Sequence, residues 1–151
     1  MAHNPVNHPA QPIWRAISGL AGLYLVIFGV LGVIVTAKND FFSQDDMSVL
    51  GQGSNLAHSV FSILIGLAVL AATGIGRNVD VALNKPLAYV FMALGLAGLA
   101  LMQTSANFFN VTMPTVIVMM LVGLALLMAA MYGKVGSDDE HKAWKDGRLV
   151  L

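Results

Sequence analysis

The run Gly66-Leu-Ala-Val-Leu-Ala-Ala-Thr-Gly-Ile-Gly76-Arg77 returns almost intact as Gly123-Leu-Ala-Leu-Leu-Met-Ala-Ala-Met-Tyr-Gly133-Lys134. Each copy is an apolar stretch that opens on Gly-Leu-Ala and stops at a glycine followed at once by a base. A glycine closing an apolar helix, with a cation just past it, is how a membrane span ends on the positively charged side of a bilayer. A second echo, Gly29-Val-Leu-Gly32 against Gly95-Leu-Ala-Gly98, extends the match to the preceding apolar runs. The pattern predicts an all-α membrane protein whose four transmembrane helices form two tandem, similar helical hairpins. Hairpins that enter from the same side are parallel repeats, related by an axis along the membrane normal.

Composition agrees. The 151 residues are 57% hydrophobic and 11% charged, with a mean hydropathy of +0.75, against about 45–50% and about a quarter in soluble domains. No cysteine is present, which removes disulfides, thiolate metal sites, iron–sulfur clusters, covalent haem attachment and cysteine nucleophiles.

Four spans are predicted, at about 14–36, 56–74, 87–105 and 114–132, within a transmembrane domain of residues 14–134. Each is long enough, at about 1.5 Å per residue, to cross most or all of a hydrocarbon core of roughly 30 Å. Residues 1–13 hold three of the five prolines and predict a mobile polar leader, in which His3 and His8 make a poor metal site. Val35-Thr36-Ala37 satisfies the small-residue rule for signal-peptide cleavage. The apolar run before it exceeds the usual 7–15 residues and has a later counterpart, so a span is preferred. The Lys38–Gly53 loop carries Asp40, Asp45 and Asp46 without the glycine and glutamate of a calcium loop, and reads as a solvated face. Ser54 or Asn55 is a natural N-cap for span two, Pro86 suits the first turn of span three, and Pro114 opens span four. Residues 135–151 predict a polar tail on the surface or against a partner.

Seven of the eight basic residues, Arg15, Arg77, Lys85, Lys134, Lys142, Lys145 and Arg148, fall on the side shared by both termini, and only Lys38 on the other. The positive-inside rule then predicts a bacterial inner (plasma) membrane protein with N- and C-termini in the cytoplasm. Trp14, Arg15, Arg77, Lys85 and Lys134 are the expected interface anchors, Arg15 snorkelling outward. Gly22, Gly29, Gly32, Gly66, Gly95, Gly98 and Gly123 are expected to bring backbones together, because lipid offers no hydrophobic drive for helix association. Ser18-x-x-x-Gly22 and Ala93-x-x-x-Ala97 are small-xxx-small patterns that read as packing within the bundle rather than as a dimerisation signal, for which they are weak.

The only histidine near a span is His58. Asn55, Ser59 and Ser62 share its helix end, and Gln103 and Thr115 arrive at the same outer end, so an outward-facing polar pocket is a candidate site. An ionisable residue at membrane depth is a functional candidate by default; a capped interfacial histidine is the plainer reading. Paired-histidine haem ligation is excluded within one chain, and a methionine partner would come from Met92, Met102, Met113, Met119 or Met120, residues that ordinarily serve as packing. No predicted span has Asp, Glu, Lys or Arg in its interior, so the sequence predicts no enzyme, no catalytic residue and no metal. The expected function is a non-catalytic accessory or structural subunit packed, through helix faces and polar tails, against other membrane proteins in the lipid bilayer. The alternative is a binding protein for quinone, haem or lipid around His58. Nothing points to nucleic acid.

Asn55-Leu-Ala-His58 ahead of an apolar span with Gly66-Leu-Ala, inside a recurring glycine-rich hairpin, resembles the small four-span bacterial membrane family known as domain of unknown function four-three-eight-three. The resemblance covers about Trp14 to Lys134 and implies a fold but no activity. Its pattern often has a second Asn/Asp-x-x-His-like element before the last span. Here Thr115 stands where that histidine would fall, which departs from a paired-histidine arrangement.

Overall fold

A chain crossing hydrocarbon must pair every backbone N–H and C=O internally, so each apolar run closes into a helix. The structure, a computed structural model, describes residues 5–148. Along them run α1 (Gln11–Thr36), β1 (Ser48–Val49), β2 (Gln52–Gly53), α2 (Leu56–Ile75), α3 (Val79–Leu101), α4 (Met113–Tyr132) and α5 (Asp138–Arg148). The first four helices are each long and apolar enough to cross a membrane, and the protein is a multi-pass membrane protein. Helix α1 packs along α2 and α3 along α4. The two hairpins then meet through α1 with α4 and α2 with α3. Both described termini and the α2–α3 turn lie at one end of the bundle, here the terminal end. The 37–55 and 102–112 connections lie at the other, the loop end.

The glycines make the hairpins, and they do so twice in the same way. A Cβ on Gly66 would sit 2.7 Å from the Gly22 carbonyl, and one on Gly123 would sit 3.1 Å from that of Ala88. Gly29 lies against Ser59 and Ile63, and Gly95 against Val116 and Met120; Gly32 meets Ser59, and Gly98 meets Val116. Gly22, Gly29 and Gly32 have the same spacing as Ala88, Gly95 and Gly98, so the contact pattern of the first hairpin is reproduced in the second. The centre follows the same correspondence: Leu25 and Phe91 are buried, as are Val69 and Leu126. Outward positions stay apolar, with Leu20 65% and Ile34 69% exposed, as a surface solvated by lipid requires.

Several boundaries differ from the sequence reading. Helix α1 starts at Gln11, because Pro12 falls in the first turn, where its missing N–H is not needed. The segment ahead of it is not a free leader: Val6 is buried, and Asn7 bonds to Lys134 O through its backbone at 3.0 Å and to Gly136 through its side chain. His8 rests on Tyr132, while His3 lies outside the described residues. Helix α3 begins at Val79 and ends at Leu101, with Pro86 inside it rather than at its start. The first turns before Pro86 are held by Asp80, which suits a helix N-terminus, and by burial of Asn84. The α2–α3 link is therefore only the turn at Gly76, Arg77 and Asn78, all with positive φ. The C-terminal tail contains α5, whose His141 Nδ1 donates to Val6 O at 2.6 Å. The long loop carries a short antiparallel hairpin, Val49 opposite Gln52, turned by Leu50 at φ 50° and Gly51 at φ 77°. Two successive positive φ values are the turn form that suits strand twist.

Candidate functional site

Polar side chains collect at both ends of the bundle. At the loop end, Asn55 is the N-cap of α2: its Oδ1 accepts from His58 N at 2.9 Å, and its Nδ2 donates to Phe108 O at 2.8 Å and Ser43 O at 3.1 Å. One side chain thus caps a helix and clamps both loops. Ser59 donates to Asn55 O at 2.7 Å and lies 3.2 Å from Ser54 Oγ, while Ser62 donates to His58 O at 2.8 Å. Thr112, the N-cap of α4 and the counterpart of Asn55, forms a capping box with Thr115, and Thr115 donates to Gly53 O at 3.0 Å. Asn110 bridges Asp45 O and Ser54 O. Asn107 folds its own turn through Met102 O, Val111 O and Val111 N. Gln52 Nε2 donates to the Tyr24 hydroxyl.

The expected pocket residues are therefore mostly brought together, but as a closed network. Asn55, His58, Ser59, Ser62 and Thr115 are all buried, whereas Gln103 is exposed on the turn and stands apart. His58 is 4% exposed, between the rings of Phe28 at 5.2 Å and Phe109 at 5.7 Å. Its Nδ1 has no hydrogen-bond partner among the described residues. Asp45 lies on the exposed loop, where hydrogen bonds from Ser43 at 2.6 Å and Asn39 at 2.8 Å hold its carboxyl below the ordinary aspartate range.

Beside this network, a recess of about 210 Å³ lies between α3, α4 and the 102–112 turn, with Leu94, Gly98, Val111 and Met119 in its wall and Phe42, Phe108 and Phe109 around it. Phe42 and Phe108 are exposed. Phe109 belongs both to the recess and to the box around His58.

The terminal end holds a second cluster that the sequence reading did not assemble. Arg15 does not snorkel outward; it lies across the end of α2, donating to Thr73 O at 3.0 and 2.5 Å, and its Nε is 3.9 Å from Asp80. The unsatisfied carbonyls at a helix C-terminus attract a guanidinium. Gly76 makes room for it, since a Cβ there would meet the guanidinium at 2.6 Å. Asn84 Nδ2 donates to Ser18 Oγ at 2.8 Å, and Ser18 lies 3.4 Å from Thr73 Oγ1. Asn84 Oδ1 has no partner among the described residues. Ser18 and Asn84 occupy equivalent places in the two hairpins, so this bond joins the repeats to each other. Sequence reasoning misses Asp80 and Asn84 because Pro86 reads as the start of span three; the polar i, i+4 pair at Asp80 and Asn84 is the signal that could find them. The first two turns of α3, ahead of Pro86, accordingly carry charge: Asp80, buried, and Lys85, exposed. Among the other anchors, Trp14 stacks on Tyr132 at 5.8 Å, Arg77 is exposed, and Lys134 lies 3.9 Å from Glu140.

Two tandem hairpins of apolar helices, closed at each end by buried polar clusters, define a four-span membrane protein with internal duplication. Residues 15–132 match the family described as Domain of unknown function (DUF4383). The chain belongs to that family, as the Asn55-x-x-His58 element and the glycine hairpins imply. No curated protein and no solved structure matches it.

Proposed function

We propose that the protein is a non-catalytic accessory subunit of the bacterial plasma membrane, oriented with both termini in the cytoplasm and packed through α3 against a larger membrane protein. The observation that carries this reading is the stripe Ala93, Ala97 and Ala100, which is exposed on α3. The Ala93-x-x-x-Ala97 pattern reads as packing inside the bundle, yet α3 meets α4 through Gly95 and Gly98 instead. Small residues facing lipid let a second helix approach closely, and in a bilayer such approach is the main source of helix association. The loop-end polar groups support the same reading, because Asn55, Ser59, Asn107 and Thr115 are engaged with backbone rather than converging on a substrate. The orientation rests on Arg15, Arg77, Lys85, Lys134, Lys142 and Lys145 at one end against Lys38 at the other.

The test is co-purification from mild detergent of wild type and of an Ala93→Leu/Ala100→Leu variant. A membrane protein retained by wild type and lost from the variant, with unchanged melting of the variant, is the expected result. A monomer on native electrophoresis in both preparations overturns the reading. For orientation, a reporter active only in the cytoplasm and fused after Leu151 is expected to be bright.

A further inference from the structure

The recess and His58 carry a further inference. The recess of about 210 Å³ is walled by apolar side chains and glycine, with Asn107 its polar member, and both Asn107 side-chain atoms are already bonded to backbone. It lies below the roughly 300–1,000 Å³ of sites that enclose a whole drug-sized molecule. It has room for a ring or a short length of chain and is too small for a porphyrin, so its occupant leaves most of its body in the bilayer.

One buried polar atom of a residue packed on the recess wall at Phe109 is without a partner among the described residues. His58 is buried, its ring is flanked by Phe28 and Phe109, and its Nδ1 has no partner among the described residues. In the imidazole tautomer that carries its proton on Nε2, Nδ1 keeps a lone pair and is an acceptor in want of a donor. Phe109 is the residue common to both, lining the recess and packing on the His58 ring at 5.7 Å. The second hairpin also has less bulk here than the first, with Leu94 at the place equivalent to Phe28.

We propose that the loop end binds a hydroxyl-bearing isoprenoid, a quinol or a prenyl alcohol, with its apolar part in the recess and its hydroxyl donating past Phe109 to His58 Nδ1. Such a ligand supplies a donor, apolar bulk and a chain that continues into lipid. The recess adjoins the α3 contact proposed above through Ala97, but the two tests remain distinguishable, because Ala93→Leu/Ala100→Leu leaves Leu94 and His58 untouched.

The full chain, purified in mild detergent with ¹⁵N-labelled imidazoles, is titrated with decyl-ubiquinol, decyl-ubiquinone and farnesol. The His58 resonance is assigned by its loss in His58→Phe, a ring that suits the aromatic box and lacks the acceptor. The expected result is a shift of the Nδ1 resonance with decyl-ubiquinol, little with decyl-ubiquinone, which has no hydroxyl to donate, and at least tenfold weaker binding in both His58→Phe and Leu94→Phe. Leu94→Phe fills the recess with the residue the first hairpin already carries, and serves alone should His58→Phe not fold. Farnesol matching the quinol identifies a plain isoprenoid alcohol as sufficient; farnesol without effect identifies the quinol ring as required. No Nδ1 shift with either hydroxyl probe, or a shift that survives Leu94→Phe at undiminished affinity, overturns the proposal.

Discussion

Asp45 shows how far a single loop residue is committed to local order. Its carboxylate accepts from Ser43 and Asn39, and Ser43 O and Asp45 O in turn receive Asn55 and Asn110. Because its folded-state pKa is depressed, the contribution it makes to loop order is fully present above the unfolded value of about 3.9 and is lost as pH falls through the lower folded value. The expected outcome is a 37–55 loop that stays protected from hydrogen exchange down to pH about 4 and loosens below it, with Asp45→Asn removing that acid step. An acid step unchanged in Asp45→Asn would mean that another group governs it. Asn55 was legible in the sequence as a cap. Its reach to Phe108 O was not, since that carbonyl comes from a turn brought in by the second hairpin.

At the level of the helix, glycine placement divides into positions that touch another backbone and positions that do not. Gly66 faces the Gly22 carbonyl, whereas a Cβ on Gly74 meets nothing within 4 Å. Gly66→Val is expected to force α1 and α2 apart and cost about 1–3 kcal/mol, the usual scale for overpacking; Gly74→Val is expected to be nearly silent. Melting of both variants in one detergent checks this, and equal effects would show that helix propensity rather than packing sets the response. The apolar runs and their glycine-plus-base ends made the spans readable, and Asn55, Pro114 and Gly133 made several ends readable. The start of α3 was not, because a proline reads as a beginning unless tertiary contacts hold the turns before it. Here Asp80 against Arg15 and Asn84 against Ser18 do so.

On the scale of the molecule, each hairpin is tightly packed within itself, and the bond between Ser18 and Asn84 ties one to the other at buried, equivalent positions. Hydrogen bonds between membrane helices average about 0.6 kcal/mol and reach about 1.7. Ser18→Ala and Asn84→Leu are expected to be non-additive by about 1 kcal/mol in a double-mutant cycle, because Ser18→Ala alone leaves the Asn84 amide unpaired. Strict additivity would place the union of the hairpins in apolar contacts such as those of Leu25, Val69, Phe91 and Leu126. The leader and α5 add a clasp at the terminal end, through His141 to Val6 and Asn7 to Lys134.

The sequence by itself determined the number of spans, their pairing into two like hairpins and the glycines that seat them. These follow from length, apolarity and spacing along one chain, and hydrocarbon leaves the backbone no alternative to helix. Tertiary structure alone decided what the polar residues do. Whether a side chain reaches a carbonyl on a different hairpin depends on packing in three dimensions, so Arg15 turned inward, Gln103 fell outside the cluster, and Ala93 and Ala97 faced away from the bundle. The Gly66-Leu-Ala and Gly123-Leu-Ala runs announced the duplication. The unequal pairs in these hairpins, His58 with Phe28 in one and Thr115 with Leu94 at the equivalent places of the other, became a candidate site only when the two were folded side by side.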